Sequence, residues 1–306
     1  MFEEAFKESI GRALFTDANV TFDESYNPWI IEPLIPNEAI TILDGLGGSG
    51  KSWFALDLAY SIISGGYFLD IFPVWIEGPV LYLTAEEVPQ MFLQRVRTVL
   101  EHYPKAKGLR WLSLLHKDIE LSPYICKKKR GEQTETLMSK FLERLIIEVS
   151  PVLVVLDSLI NFYGLDENSS EDAMFFYDVL KGFMRKYQVS FLLLHHQNKE
   201  GMRAQADDVI SFRGSGVLRE QARSRIVYKN IKIDESTIAR KIILEKSNYY
   251  SVYRDKLPIY LKFQDGVHVY DKKFELVAKR AEEEAKSKGK KNKKGNGGLE
   301  GYEVDF

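Results

Sequence analysis

Apolar positions along this chain switch repeatedly between a strand period and a helix period. EAITILDG (38–45) is a compact apolar run rich in β-branched residues that stops at a glycine, the pattern of a buried strand. From Ser52, WFALDLAYSIIS carries apolar residues at helical spacing and halts at Gly65-Gly66, a glycine stop. The alternation continues with a strand at 79–87, a helix around FLQRVRTVLEHY and a strand at 111–115. A helix at 134–150, a strand at 151–160, a helix at 171–187 and a strand at 189–196 follow. Strands apolar on both faces, alternating with helices, predict an α/β fold whose mostly parallel, twisted sheet is flanked by helices.

Beyond residue 225 the rhythm changes. SRIVYKNI, ARKIILEK, IYLKF and VHVYD are short segments separated by tight turns such as Gln264-Asp265-Gly266. They predict C-terminal antiparallel strands extending the sheet at one edge. Residues 1–30 read as an amphipathic helix and an extended stretch, a candidate subunit-contact arm. Residues 31–277 form the core domain, and the Lys/Glu/Gly-rich residues 278–306 are expected to be a disordered tail.

Composition narrows the class. A net charge of −2 over 306 residues excludes a polycation built to coat nucleic acid, so any DNA contact must come from local basic patches. Two exist: Lys127-Lys128-Lys129-Arg130, and the stretch from Lys286 to Lys294. The single cysteine, Cys126, rules out an internal disulfide framework and a cysteine-based zinc site. No apolar run is long enough to span a bilayer, and the acidic, amphipathic start does not read as a signal peptide. A cytoplasmic location is the expectation.

The strongest chemical signal is Gly45-Leu46-Gly47-Gly48-Ser49-Gly50-Lys51-Ser52, which fits G-x-x-x-x-G-K-[ST] between a strand and an amphipathic helix. Glycines let backbone N–H groups turn inward around phosphate oxygens, and the helix N-terminus adds a favourable dipole. Lys51 is expected to reach the outer phosphates of ATP and Ser52 to hold Mg²⁺, with Trp53 beside the bound nucleotide. LVVLD (153–157) ends an apolar strand on Asp157, the expected second Mg²⁺-side residue. No carboxylate follows Asp157 directly, so the general base must come from another strand end: Glu86 or Glu87, with Glu86 preferred.

A glutamate after the second strand is the RecA-like arrangement. The P-loop, LYLTAEEVPQMFLQR (81–95), LVVLDSLINFYGLDENSS (153–170), LLLHHQNKE (192–200), FRGSGVLREQAR (212–223) and KSNYY (246–250) together resemble the RepA-type hexameric helicases of plasmids and phages. The resemblance spans roughly residues 36–265. It implies a RecA-like P-loop ATPase working as a homohexameric ring on single-stranded DNA, with an initiator or loader protein as a further partner. Residue by residue, it implies Glu86 as catalytic glutamate and Arg95 near the nucleotide. It also implies a γ-phosphate sensor at His195 or His196, and an arginine finger at Arg223, with Arg213 in the same motif. The same resemblance implies Lys246 as a lysine facing the phosphates between subunits.

Loops at 161–170 and 197–211 are the candidate DNA contacts, the second through Lys199 and Arg203. The first carries Asp166 and Glu167, with Glu171 just beyond, and these disfavour phosphate. Two features depart from the family pattern: no separate primase, zinc-binding or winged-helix region is visible, and the insert 117–135 has no counterpart. A filament-forming recombination or repair ATPase, and a nucleotide-dependent regulator that does not act on DNA, stay open as alternatives.

Overall fold

The computed structural model describes residues 26–196 and 216–295, with side chains to residue 287. In chain order its strands are β1 (Trp29–Ile31), β2 (Ile35–Pro36), β3 (Ile40–Gly45), β4 (Gly66–Phe68), β5 (Phe72–Val74), β6 (Val80–Thr84) and β7 (Leu109–Ser113). There follow β8 (Cys126–Lys129), β9 (Glu132–Glu135), β10 (Leu153–Asp157), β11 (Ser190–His196), β12 (Ser224–Lys232), β13 (Ile238–Ser247), β14 (Ile259–Gln264) and β15 (Val267–Tyr270). The helices are α1 (Lys51–Ser64), α2 (Pro89–Leu100), α3 (Leu137–Val149), α4 (Leu159–Tyr163), α5 (Ser170–Tyr187), α6 (Gly216–Gln221) and α7 (Lys272–Gly295).

Nine of the described strands form one sheet in the order β15-β14-β13-β12-β3-β11-β10-β6-β7. From β12 to β7 every pairing is parallel, and β13, β14 and β15 add antiparallel neighbours at the β12 edge. This is the α/β architecture expected from the pattern, and the RecA-like one that the resemblance implies. One detail differs: β12 belongs to both groups, running parallel to β3 and antiparallel to β13.

Successive residues of a strand point to opposite faces, and the two faces here have separate cores. Leu43, Tyr82, Val155 and Leu194 pack with Phe54 and Leu58 of α1. Leu83, Val154, Leu156 and Leu193 pack with Leu142 of α3 and Phe176 of α5. Because both faces are covered, the strands read as unbroken apolar runs.

Four elements fall outside the expected pattern. The apolar run 151–160 divides, with β10 ending at Asp157 and α4 beginning at Leu159. A small four-stranded sheet, β2-β1-β5-β4, packs beside the main one. The insert 117–135 folds as the β8–β9 hairpin. Finally, the segment from 278 expected to be disordered continues α7 to Gly295. Tertiary contacts explain that correction: Ala278 is buried against Ala239 and Tyr260, and Lys241 Nζ donates to both Glu282 oxygens at 2.9 Å. The i,i+4 pairs Lys279–Glu275 and Lys286–Glu282 add local support. The expected tail residues 296–306 and the N-terminal residues 1–25 lie outside the described residues. No described helix is long and apolar enough to cross a membrane.

A buried ion pair fastens the centre of the sheet. Asp44 of β3 and Arg225 of β12 are both fully buried, and Arg225 Nε donates to Asp44 Oδ2 at 2.8 Å. Arg225 also pairs with Glu245 of β13, while His195 of β11 lies 2.8 Å from Asp44 Oδ1. Burial alone would raise the Asp44 carboxyl, but the bonds from His195 and Arg225 outweigh it and hold it below the usual range. Removing one partner of such a pair strands the other charge in low dielectric. Arg225→Leu is therefore expected to cost about 3–5 kcal/mol in urea unfolding. The Asp44→Leu/Arg225→Leu double variant is expected to lose less than the two single variants summed, and strict additivity would show the pair to be uncoupled.

Candidate active site

The C-terminal ends of β3, β11, β10 and β6 open onto one crevice, and the loop from β3 into α1 forms its floor. Backbone approach explains the first glycine: a Cβ on Gly45 would lie 2.6 Å from the Tyr228 carbonyl oxygen. Gly50, at φ 109°, caps α1 in a left-handed conformation that suits glycine. Ser49 Oγ is buried in this loop without a hydrogen-bond partner among the described residues.

Lys51 turns its ammonium back into the loop, donating to the carbonyls of Gly45 and Leu46, each at 2.8 Å. Burial lowers its pKa to about 8, against the opposing pull of Asp157, Asp44 and Glu86. Across the crevice, buried Asp157 accepts a 2.7 Å hydrogen bond from the Tyr82 hydroxyl. Desolvation raises its carboxyl, with bonds from Tyr82 and Ser52 pulling the other way. A desolvated carboxylate beside a serine hydroxyl is a donor set that a hard cation would complete.

Glu86 follows the end of β6 and meets three donors: Ser158 Oγ, Asn161 Nδ2 at 3.2 Å and His196 Nε2 at 2.9 Å. Its carboxyl is held below the usual range by the His196 hydrogen bond, partly offset by burial. His196 Nδ1 lies 3.2 Å from Lys51 Nζ. An ammonium can only donate, so Nδ1 accepts and Nε2–H is left to donate to Glu86. One neutral tautomer thus links the phosphate-side lysine to the candidate base.

The two histidines have separate surroundings, because adjacent strand residues face opposite ways. His196 enters the crevice, whereas His195 is buried against Asp44 on the far face. The neighbouring glutamates divide as well. Glu87 pairs with Arg95, whose guanidinium lies 4.8 Å over the Trp53 ring, so Trp53 and Arg95 line the flank of the loop.

Arg223 is remote from this crevice. Its backbone N–H bonds to the carbonyl of Ile40 at the start of β3, whereas the P-loop begins at the other end, about 17 Å away at ~3.3 Å per residue. Its side chain is exposed and helps line a basic cavity of about 270 Å³ with Lys181 and Arg185. Lys246 lies at the same end, donating to the Glu220 carbonyl at the end of α6. In the 161–170 loop, Phe162 and Tyr163 are buried in the core, away from any base. Arg213, Lys199 and Arg203 lie outside the described residues.

Several site residues were not singled out from the sequence. Tyr82 and Ser158 hold the two carboxylates, and Asp44 and Arg225 support the P-loop strand. A further buried chain runs from Asp57 of α1 to His268 Nδ1 (3.2 Å), and from His268 Nε2 to the Tyr228 hydroxyl (2.8 Å), against Gly50. The only available signal was a charged residue inside an apolar strand or helix, as at Asp44 and Asp57.

Comparison with known families places this geometry. The profile of the AAA domain family (AAA_25) matches residues 9–202. Among solved structures, the chain is similar to a KaiC-like protein from the hyperthermophilic archaeon Pyrococcus horikoshii, at 14% identity and a TM-score of 0.50. The match covers 79% of this chain and 93% of that one, and the likeness is one of fold.

Two outcomes are expected. Lys51 is charged below about pH 8 and neutral above it, so nucleoside triphosphate affinity, followed by titration calorimetry, should fall as pH rises through that value. Lys51→Arg should flatten the profile, because arginine stays protonated. Glu86→Gln should slow hydrolysis about 10²–10⁴-fold while nucleotide affinity changes little. A larger effect on binding than on turnover would remove Glu86 from the base role.

Proposed function

The chain belongs to the AAA domain family of P-loop ATPases, and from that premise we propose that it is a ring-forming motor coupling Mg-ATP hydrolysis to movement on single-stranded DNA. In this reading the P-loop backbone, with Gly47 and Gly48, cradles the phosphates, and the unpartnered Ser49 hydroxyl is available to them. Lys51 supplies the cation, Glu86 orients and deprotonates the attacking water, and His196 reports on the γ-phosphate. Ser52 and Asp157 would hold Mg²⁺, which when bound neutralises charge on the phosphate oxygens. Trp53 and Arg95 flank the nucleotide. Residues 31–277 are the ATPase domain, and α7 extends it.

The observation that carries the oligomeric part is the position of Arg223. It is exposed at the end of β12 opposite its own P-loop, a placement that suits an arginine acting on a neighbouring subunit's phosphates rather than on its own. An arginine supplied in trans stabilises transition-state charge and is worth about 10³–10⁵ in rate. The RepA-type motif order supports the DNA part, with replication of a plasmid, phage or virus as the setting and a loader as a further partner. The acidic side chains of Asp166, Glu167 and Glu171 favour a second reading, a nucleotide-dependent regulator whose partners are proteins.

Hydrolysis measured with and without single-stranded DNA separates the two. The motor reading expects DNA to stimulate wild type and both Lys51→Ala and Arg223→Ala to be inactive alone. Mixing the two variants should restore activity, because each supplies what the other lacks at a shared interface. Unchanged turnover with DNA, together with normal hydrolysis by Arg223→Ala, would sink the motor reading in favour of the regulator.

A further inference from the structure

The insert 117–135 carries the densest run of positive charge in the described core, and the structure gives it a defined shape. A lone two-stranded hairpin is marginal in water, so β8–β9 depends on its anchors. Ile125 N–H bonds to the Phe162 carbonyl of α4 at 2.8 Å, and Ile125 and Cys126 are fully buried. Gly164, at φ 64°, lies so close that a Cβ there would be 2.3 Å from the Cys126 carbonyl oxygen. Buried Asp172 accepts from Gln133 Nε2 and pairs with Lys128 Nζ, each at 2.8 Å.

Lys128 is therefore a structural cation. Its neighbours point the other way, since alternate strand residues occupy opposite faces. Lys127 and Lys129 share that outer face, and Arg130 follows in the tight turn with Arg130 at φ 54° and Gly131 at φ 91°. All three are exposed, and none makes an ion pair with a described residue. Glu132 lies opposite Lys129 across the hairpin, so the outer face carries three positive charges against one negative.

Position supplies the rest. The hairpin sits at the edge of the sheet where the P-loop, Glu86 and His196 lie, next to the loop that follows β10. Its hydrogen bond to Phe162 is one residue from Asn161, which with Ser158 holds Glu86. We propose that the outer face of this hairpin, Lys127, Lys129 and Arg130, binds the phosphates of single-stranded DNA and passes that contact through α4 to Glu86. The inference rests on the DNA-motor reading and gives it a contact site in a segment without counterpart in the family pattern. It also accounts for how a strand is held beside the acidic 161–170 loop.

The test is binding of a fluorescein-labelled oligothymidine by anisotropy across a salt series, with a non-hydrolysable ATP analogue present. It compares the full chain, the Lys127→Ala/Lys129→Ala/Arg130→Ala variant, and a control variant, Lys105→Ala/Lys107→Ala, at another exposed basic pair. Loss of three phosphate contacts should make the slope of log affinity against log salt shallower by about 2, at ~0.7 per contact. The same variant should keep its hydrolysis rate without DNA and lose the stimulation by DNA. Wild-type slope and affinity in the hairpin variant, or an equal loss per charge in the control, would overturn the proposal and leave the motor reading intact. Failure of wild type to bind the oligonucleotide would overturn both.

Discussion

A carboxylate sealed from water at the end of the central strand sets the terms for the rest of this chain. Asp44 is one residue before the P-loop, and charge at that depth is tolerable only if every lone pair finds a donor. Arg225 and His195 supply them, and Arg225 in turn engages Glu245. Four strands from distant parts of the sequence are thereby drawn to a common register. The end of β3 that launches the P-loop and the stretch of β12 that follows Arg223 share one charge network. Whatever shifts the loop acts on a rigid connection toward the far edge, because buried polar networks have few alternative arrangements.

The crevice above this pair gathers charge of both signs at short range. Lys51 is desolvated enough to titrate near the upper end of the physiological range, which makes it responsive to an arriving anion. Glu86 is held below the usual carboxyl range by the hydrogen bond from His196, which favours the ionised state a base requires, and the other nitrogen of that ring accepts from Lys51. The lysine, histidine and glutamate are therefore joined in one hydrogen-bonded chain across the crevice.

Two peripheral pieces lean on this centre. The β14–β15 hairpin reaches the P-loop through His268 and Tyr228, and burial holds the His268 imidazole below its usual pKa against the opposing pull of Asp57. The β8–β9 hairpin leans on α4, whose first turn carries Glu86's partners. Each piece touches a loop at the crevice edge and also feeds a core: Ile259, Leu261 and Val267 on one face of the sheet, Ile125 and Cys126 on the other.

Local pattern determined much of this protein. The strand–helix alternation, the P-loop between a strand and a helix, and the strand ends bearing Asp157 and Glu86 all depend on residues within a few positions of one another, so they could be read directly. Periodicity also exposed the change to antiparallel strands after residue 225. It did not reveal that β12 serves both groups, that the insert forms a hairpin, or that α7 continues past 278, because those depend on partners elsewhere in the chain. The same limit applied at the site. Adjacent histidines are indistinguishable in sequence, and only the pleat, with Lys51 and Glu86 on one side and Asp44 on the other, separates His196 from His195. A separation of 181 positions between Asp44 and Arg225 leaves no local signal of their pairing. It arises only when the sheet brings β3 and β12 together in low dielectric, where an unpaired charge cannot remain.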